Sequence, residues 1–114
     1  MKLVVVAIGR LKAGPERALC ERYHERLTAL ARSAGFTEIK LIERGESAGR
    51  RPEERKAEEA RVLLAEVPPG ARLIVCDETG EEWDSAGFAR RLRLWREAGT
   101  SATVVIIGGA DGLD

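Results

Sequence analysis

Four short apolar runs alternate with three helix-length segments along this chain of 114 residues. The runs cover residues 3–8, 36–43, 72–77 and 103–107, and most of them are rich in β-branched side chains. Continuous apolar runs of this kind are typical of strands covered on both faces, and helical crossovers connect parallel strands. The alternation therefore predicts a βαβαβαβ order, and with it an α/β fold with a mostly parallel sheet and helices on both faces.

Each intervening segment has an apolar stripe at helical spacing, which we expect to face the sheet. The first helix is predicted over residues 15–34, the second over 51–67, and the third from a cap at Asp84 or Ser85 to Gly99. The expected inward residues are, in chain order, Leu19, Tyr23, Leu27, Leu30 and Ala34; Ala60, Leu63, Leu64 and Val67; and Phe88, Leu92 and Trp95. The mixed charges from Glu53 to Arg61 are expected to form a solvent-facing, ion-paired surface.

Composition limits the possible classes of protein. With 44% hydrophobic residues, the chain has enough apolar material for one core and one domain. The 19 basic residues balance the 19 acidic ones, so binding to nucleic acid would need a local basic patch. The chain has no apolar stretch long enough for a membrane span, and its two cysteines are expected to be free thiols, so we expect a cytoplasmic protein. His24 is the single histidine, which argues against a metal centre.

The most probable site lies at the end of the chain, where a glycine-rich loop follows the last strand. Open α/β sheets bind ligands at the carboxyl ends of their strands, and bare glycine backbone allows close approach. No helix follows residues 103–107, so we also expect one side of the sheet near residues 104–107 to be uncovered, which usually indicates a partner or a missing element.

The sequence lacks the common motifs for binding dinucleotides and nucleoside triphosphates. The glycines after the first strand lack the spacing of a dinucleotide fingerprint, and no P-loop pattern is present. Arg10 and Lys12 in that loop could hold phosphate, and Arg91 and Arg96 of the third helix are expected to face outward. The residues alone leave two further classes open: a non-catalytic α/β dimerisation or interaction module, and a flavodoxin-like domain that binds a small nucleotide or phosphate.

Three segments, taken in order, resemble the ribosomal large subunit methyltransferase H family of the SPOUT superfamily. They are Ala7-Ile8-Gly9-Arg10-Leu11-Lys12, then Cys76-Asp77-Glu78-Thr79-Gly80 with Trp83-Asp84-Ser85, and finally Ile107-Gly108-Gly109-Ala110-Asp111-Gly112-Leu113. The resemblance extends over essentially the whole chain, and the final Gly-Gly-x-x-Gly-Leu is its most specific part.

The resemblance implies a homodimeric enzyme that uses S-adenosylmethionine to methylate N3 of pseudouridine 1915 in 23S ribosomal RNA, acting on the assembled ribosome. It places the cofactor against backbone at Cys76 and Gly108, with Gly109 and Gly112 in the same loop. It implies that ribosomal RNA is contacted by local cations, for which Arg10, Lys12, Arg91 and Arg96 are the candidates. Neither a metal nor a membrane is implied. The general base stays unassigned, since His24 lies on the wrong element and Asp77 and Glu78 are only near the right strand end.

Members of the family continue through a further strand and a C-terminal helix, which form a trefoil knot. The resemblance therefore implies that residues 1–114 form a single SPOUT-type α/β domain, C-terminally truncated and lacking the knot-forming segment. An inactive, truncated methyltransferase is accordingly a further alternative.

Overall fold

Seven elements alternate between strand and helix in the computed structural model, which describes residues 1–113. They are β1 (Lys2–Ile8), α1 (Pro15–Leu30), β2 (Glu38–Arg44), α2 (Pro52–Leu64), β3 (Arg72–Cys76), α3 (Ser85–Glu97) and β4 (Ala102–Ile107). The α/β class and the order of the elements predicted from the sequence are confirmed.

The four strands form one parallel sheet in the order β2-β1-β4-β3. The first and last strands of the chain are therefore neighbours at its centre, with Lys2 opposite Ala102. At the other end of the sheet, Cys76 of β3 lies opposite Ile107 of β4. This register brings the loops that follow β3 and β4 to the same edge of the sheet.

Each face of the sheet has its own core because side chains alternate along every strand. On one face, Leu63 of α2 packs against Val6, Val104 and Ile106. On the other face, Leu92 of α3 packs with residues of β1 and of the turn before β2, namely Leu3, Ala31 and Phe36. The sheet is thus covered on both faces, as the sequence predicts.

The predicted inward stripe of α1 is wrong. The helix ends at Leu30, before Ala34 and Gly35, and its Leu19, Tyr23 and Leu30 side chains are exposed. The reason is the strand order: α1 connects β1 to the outer strand β2 and lies beside that edge. The space over the middle of the sheet is filled by α3 and by Phe36 instead.

The uncovered face predicted near residues 104–107 is present only in part. Val104 and Ile106 are buried under α2, whereas on the other face Val105 is half-buried and Ile107 is exposed. Further exposed apolar surface lies on β3, where Leu73 and Val75 are exposed on the outermost strand. Among the described residues, no helix is both long and apolar enough to span a membrane.

Candidate functional site

The glycine loop, residues 108–112, leaves the central strand β4 at the carboxyl edge of the sheet. It closes on itself through a bridge between Gly109 and Gly112, in which the Gly112 N–H donates to the Gly109 carbonyl oxygen at 3.0 Å. Gly112 has a φ of +84°, in the left-handed region that glycine adopts without strain. The turn therefore depends on a glycine at this position.

Two other glycines are required by close packing. A Cβ added to Gly108 would lie 2.8 Å from Cγ of Leu113, and one added to Gly109 would lie 3.0 Å from Oε1 of Glu59. Both distances are shorter than an ordinary van der Waals contact, so Leu113 and Glu59 fill the space that a side chain would need at these two positions.

A pocket of about 190 Å³ lies between this loop, α2 and β3, and we call it the glycine-loop pocket. Its walls are mostly apolar, and its charged side chains are Lys56 and Glu59. The full lining is Lys56, Glu59, Ala60, Leu63, Leu64, Leu73, Val75, Ile106, Gly108, Gly112 and Leu113.

A bidentate ion pair fastens the loop to α2. Arg55 Nε and Nη2 donate to the Asp111 carboxylate at 2.6 and 3.1 Å, while Arg55 Nη1 donates to the Gly49 carbonyl oxygen at 3.1 Å. The hydrogen bond from Arg55 holds the pKa of Asp111 below its ordinary value of 3.8 and raises the pKa of Arg55. One arginine thus ties together α2, the loop before it and the glycine loop.

The charge run on α2 is therefore only in part the solvent-facing surface that the sequence predicts: Glu53, Glu54 and Arg61 are exposed, but Glu59 is not. Glu59 is only 5% exposed, and Arg55 lies one turn before it, where it pairs with Asp111. The sequence did contain a signal: Glu59 precedes the buried Leu63 by four residues, which places both on one face of the helix. Because most residues of the run are charged, the inward position of Glu59 was not recognised from the sequence.

Cys76 borders a second cavity, on the other side of β3. This cleft of about 800 Å³ lies between β3, the loop after it and α3, and Cys76, Asp77 and Trp83 are among its lining residues. The guanidinium of Arg91 lies over the Trp83 ring, 3.9 Å from the ring centroid. It also forms an ion pair with Glu81 at 3.6 Å. Cys76 and Gly108 thus lie at the same sheet edge but line different cavities.

The candidate RNA contacts divide between the two edges of the sheet. Arg10 and Lys12 are exposed in the loop after β1, which leaves the same edge as the glycine loop. Arg91 lies in the middle of α3, and its side chain contacts Trp83 and Glu81 in the loop that leaves that edge. Arg96 lies at the opposite end of α3, where it packs on Gly35 and donates to the carbonyl oxygen of Ala34. Its outward orientation, predicted from the sequence, is therefore wrong.

His24 lines a groove between α1 and β2, together with Leu11 and Glu43, and this groove does not include the glycine loop. Across residues 1–113, no group of three or more His, Cys, Asp or Glu side chains is arranged to hold a metal ion.

Comparison with known proteins identifies the fold that carries this site. The model of a family described as predicted SPOUT methyltransferases matches residues 1–114. A protein of Rhodopseudomonas palustris named ribosomal RNA large subunit methyltransferase H is 51% identical over 113 residues, which cover 99% of this chain and 71% of the relative. The chain belongs to the SPOUT methyltransferases, in the ribosomal RNA large subunit methyltransferase H family.

Further relatives bearing the same name support this assignment. The protein of Methylorubrum populi is 53% identical over 114 residues, covering 99% of this chain and 69% of the relative. The protein of a Bradyrhizobium species is 49% identical over 113 residues, covering 99% and 70%. The family resemblance predicted from the three motifs is confirmed, and membership of an enzyme family argues against the interaction module and the flavodoxin-like domain.

Proposed function

We propose that this SPOUT family member is an S-adenosylmethionine-dependent methyltransferase that acts on large-subunit ribosomal RNA. The observation that carries the proposal is a glycine loop with bare backbone, at the carboxyl edge of a parallel sheet, in a chain of this family. The relatives' name, ribosomal RNA large subunit methyltransferase H, supports ribosomal RNA as the acceptor. The finer assignment, to N3 of a pseudouridine in 23S rRNA of the assembled ribosome, depends on the family resemblance.

The residues present fit part of such a cofactor. Gly108 lines the glycine-loop pocket without a side chain, and the leucine and valine walls of that pocket suit the faces of an adenine ring. At about 190 Å³ the pocket is smaller than a typical site for a drug-sized ligand, so it would hold only a portion of the molecule. Gly108 and Gly112 would bind that portion through their backbone, and Cys76, which lines the cleft on the other side of β3, would contact the part of the cofactor that extends out of the pocket.

When bound, S-adenosylmethionine supplies a methyl group activated by a sulfonium. Transfer of that group is an in-line displacement, so the chief task of the protein is to orient donor and acceptor. The bridge within the glycine loop and the Arg55–Asp111 pair would perform this task, because they fix the loop backbone relative to α2.

The RNA backbone would be held by cations at the same edge of the sheet. Arg10 and Lys12 are exposed there, and Arg91 is oriented by its stacking on Trp83. Contacts of this kind contribute affinity that falls with salt concentration. Since the chain has no net charge, these local groups would supply the electrostatic attraction.

The proposal includes a homodimer. Exposed apolar side chains on α1 and β3, among them Tyr23, Leu30 and Val75, provide surface of the kind that subunit interfaces bury. Sedimentation at several protein concentrations tests this part, and a mass that stays at 12.5 kDa throughout would contradict it.

The central experiment measures transfer of labelled methyl from S-adenosylmethionine to ribosomes that lack the modification, with free 23S rRNA as the comparison acceptor. We expect label on a pseudouridine of the large subunit. The absence of transfer by folded protein would refute the proposed activity for this chain.

The RNA contacts are tested by a double variant, Arg10→Ala with Lys12→Ala. If each side chain contacts one phosphate, the negative slope of log affinity against log salt concentration should become shallower by roughly 1.4 to 1.8. Arg32→Ala is the matched control, because Arg32 is exposed in the turn after α1 at the opposite edge of the sheet. An equal change in salt slope for the double variant and for Arg32→Ala would contradict the assignment of Arg10 and Lys12 as RNA contacts.

A further inference from the structure

Glu59 has a carboxylate oxygen that the protein itself leaves without a partner. The residue is 5% exposed, and its Oε2 accepts a hydrogen bond from the Ser47 N–H at 2.9 Å. Its Oε1 is buried and accepts no hydrogen bond from any of residues 1–113. Leaving a buried carboxylate oxygen unpaired destabilises a protein, so such an atom calls for an explanation.

The unpaired oxygen faces the glycine loop. A Cβ placed on Gly109 would lie 3.0 Å from Glu59 Oε1 and 3.0 Å from a methyl carbon of Ile8. Glu59 also lines the glycine-loop pocket with Gly108 and Gly112. The acceptor therefore lies against Gly109, one residue beyond Gly108, at which the family resemblance places the cofactor, and beside walls that offer few other polar groups.

Neighbouring cations do not satisfy this oxygen. Arg55, one turn earlier on α2, attracts the charge of Glu59, but its guanidinium donates to Asp111 and to the Gly49 carbonyl oxygen. Lys56 lines the same pocket and makes no hydrogen bond to Glu59 in the described structure. The charge is partly balanced, but the hydrogen-bonding capacity of Oε1 is unused.

We propose that Glu59 is a ligand-binding residue, whose Oε1 accepts a hydrogen bond from an O–H or N–H group of the adenosine portion of the cofactor. This inference rests on the proposed function. An ionised carboxylate only accepts hydrogen bonds, so its partner must be a donor. Adenosine combines a flat ring, which suits the leucine and valine walls, with ribose hydroxyls and an exocyclic amino group that can donate.

The test compares the affinity of Glu59→Gln and wild type for S-adenosylhomocysteine, measured by calorimetry without any methyl transfer. We expect binding to be about 10- to 100-fold weaker in the variant, the usual loss for a hydrogen bond to a charged acceptor. Glu58→Gln is the matched control: Glu58 is the adjacent residue and accepts from the Ser47 hydroxyl, but does not line the pocket. Its affinity should stay within about twofold of wild type.

Ligand analogues identify the donor and need only the wild-type protein. The 2′-deoxy, 3′-deoxy and N6-dimethyl forms of S-adenosylhomocysteine each remove one donor site, and at least one should bind about 10-fold more weakly. That loss should disappear in Glu59→Gln. If none of the three weakens binding, or if methylthioadenosine shows no difference between wild type and variant, the adenosine assignment is overturned.

The melting temperature of the ligand-free protein separates binding from a structural role. Glu59→Gln should melt at or above the wild-type temperature, because the substitution removes an unpaired buried charge. A role limited to bracing Ser47 predicts a lower melting temperature for both Glu58→Gln and Glu59→Gln. If wild type and Glu59→Gln bind equally well, the inference about Glu59 fails alone, whereas wild type that binds no cofactor overturns the proposed function as well.

Discussion

Replacing Leu63 by alanine tests whether α2 is fixed to the sheet by the same side chain that forms the inner wall of the glycine-loop pocket. Leu63 is 2% exposed and packs on Val6, Val104 and Ile106. Fully buried leucines cost roughly 3 to 5 kcal/mol on truncation to alanine, and the cost rises with the size of the void left behind. Here the void would open into an existing pocket and would not form a closed cavity. We therefore expect a loss of about 3 kcal/mol in the free energy of unfolding, at the low end of that range.

The next residue provides the control. Leu64 lines the same pocket but is 57% exposed, so less than half of its side chain is removed from water. Complete burial of a leucine contributes about 1.5 to 3 kcal/mol, which gives about 1 kcal/mol for Leu64→Ala. Urea unfolding followed by the fluorescence of Trp83 and Trp95 measures both variants. Equal free-energy losses in the two would refute the packing argument for Leu63.

Two other predictions concern the Arg55–Asp111 ion pair and the helix cap at Asp84. Because pairing with Arg55 holds the folded-state pKa of Asp111 below its ordinary value of 3.8, the ion pair contributes stability above that pH and loses it as the pH falls through the folded-state pKa. The gap in free energy of unfolding between wild type and Asp111→Asn should therefore be constant near neutrality and narrow below pH 3.8; a gap unchanged in acid would contradict this. Asp84→Ala removes the helix cap in which Oδ1 accepts from the Gly87 N–H at 2.7 Å, and should cost about 1 kcal/mol in urea unfolding, whereas no loss would show that the cap is replaced by water.

Local patterns were sufficient to predict the order of elements and the start of α3. Strands β1 and β4 are continuous apolar runs whose identity does not depend on their neighbours, and the Asp84 cap needs only the following turn of helix. The same holds for the glycine loop, whose turn requires a residue of positive φ at Gly112. In each case the deciding interactions lie within a few residues along the chain.

The errors concern contacts between segments distant in sequence. The stripe on α1 has the correct period, but whether it is buried depends on β2 being an edge strand. Glu59 appeared to belong to a solvated run, because its environment is created by Gly109 and Ile8, which are far from it in the sequence. Periodicity shows that a face exists, but only the strand order shows what lies opposite that face.

The central pairing of β1 with β4 also has a kinetic consequence. It joins two segments far apart in sequence, with Lys2 opposite Ala102, so the centre of the sheet cannot form until β4 is available. Pairing between segments so distant in sequence is slow, because the loop entropy must be lost before the contacts form. During synthesis, β3 would have no strand to pair with until β4 is made. Residues such as Val6 would remain accessible until β4 packs beside β1. The glycine loop, which follows β4, would then take its shape only after β4 has paired with β1 and β3, so the state of the site would report whether these strands have assembled.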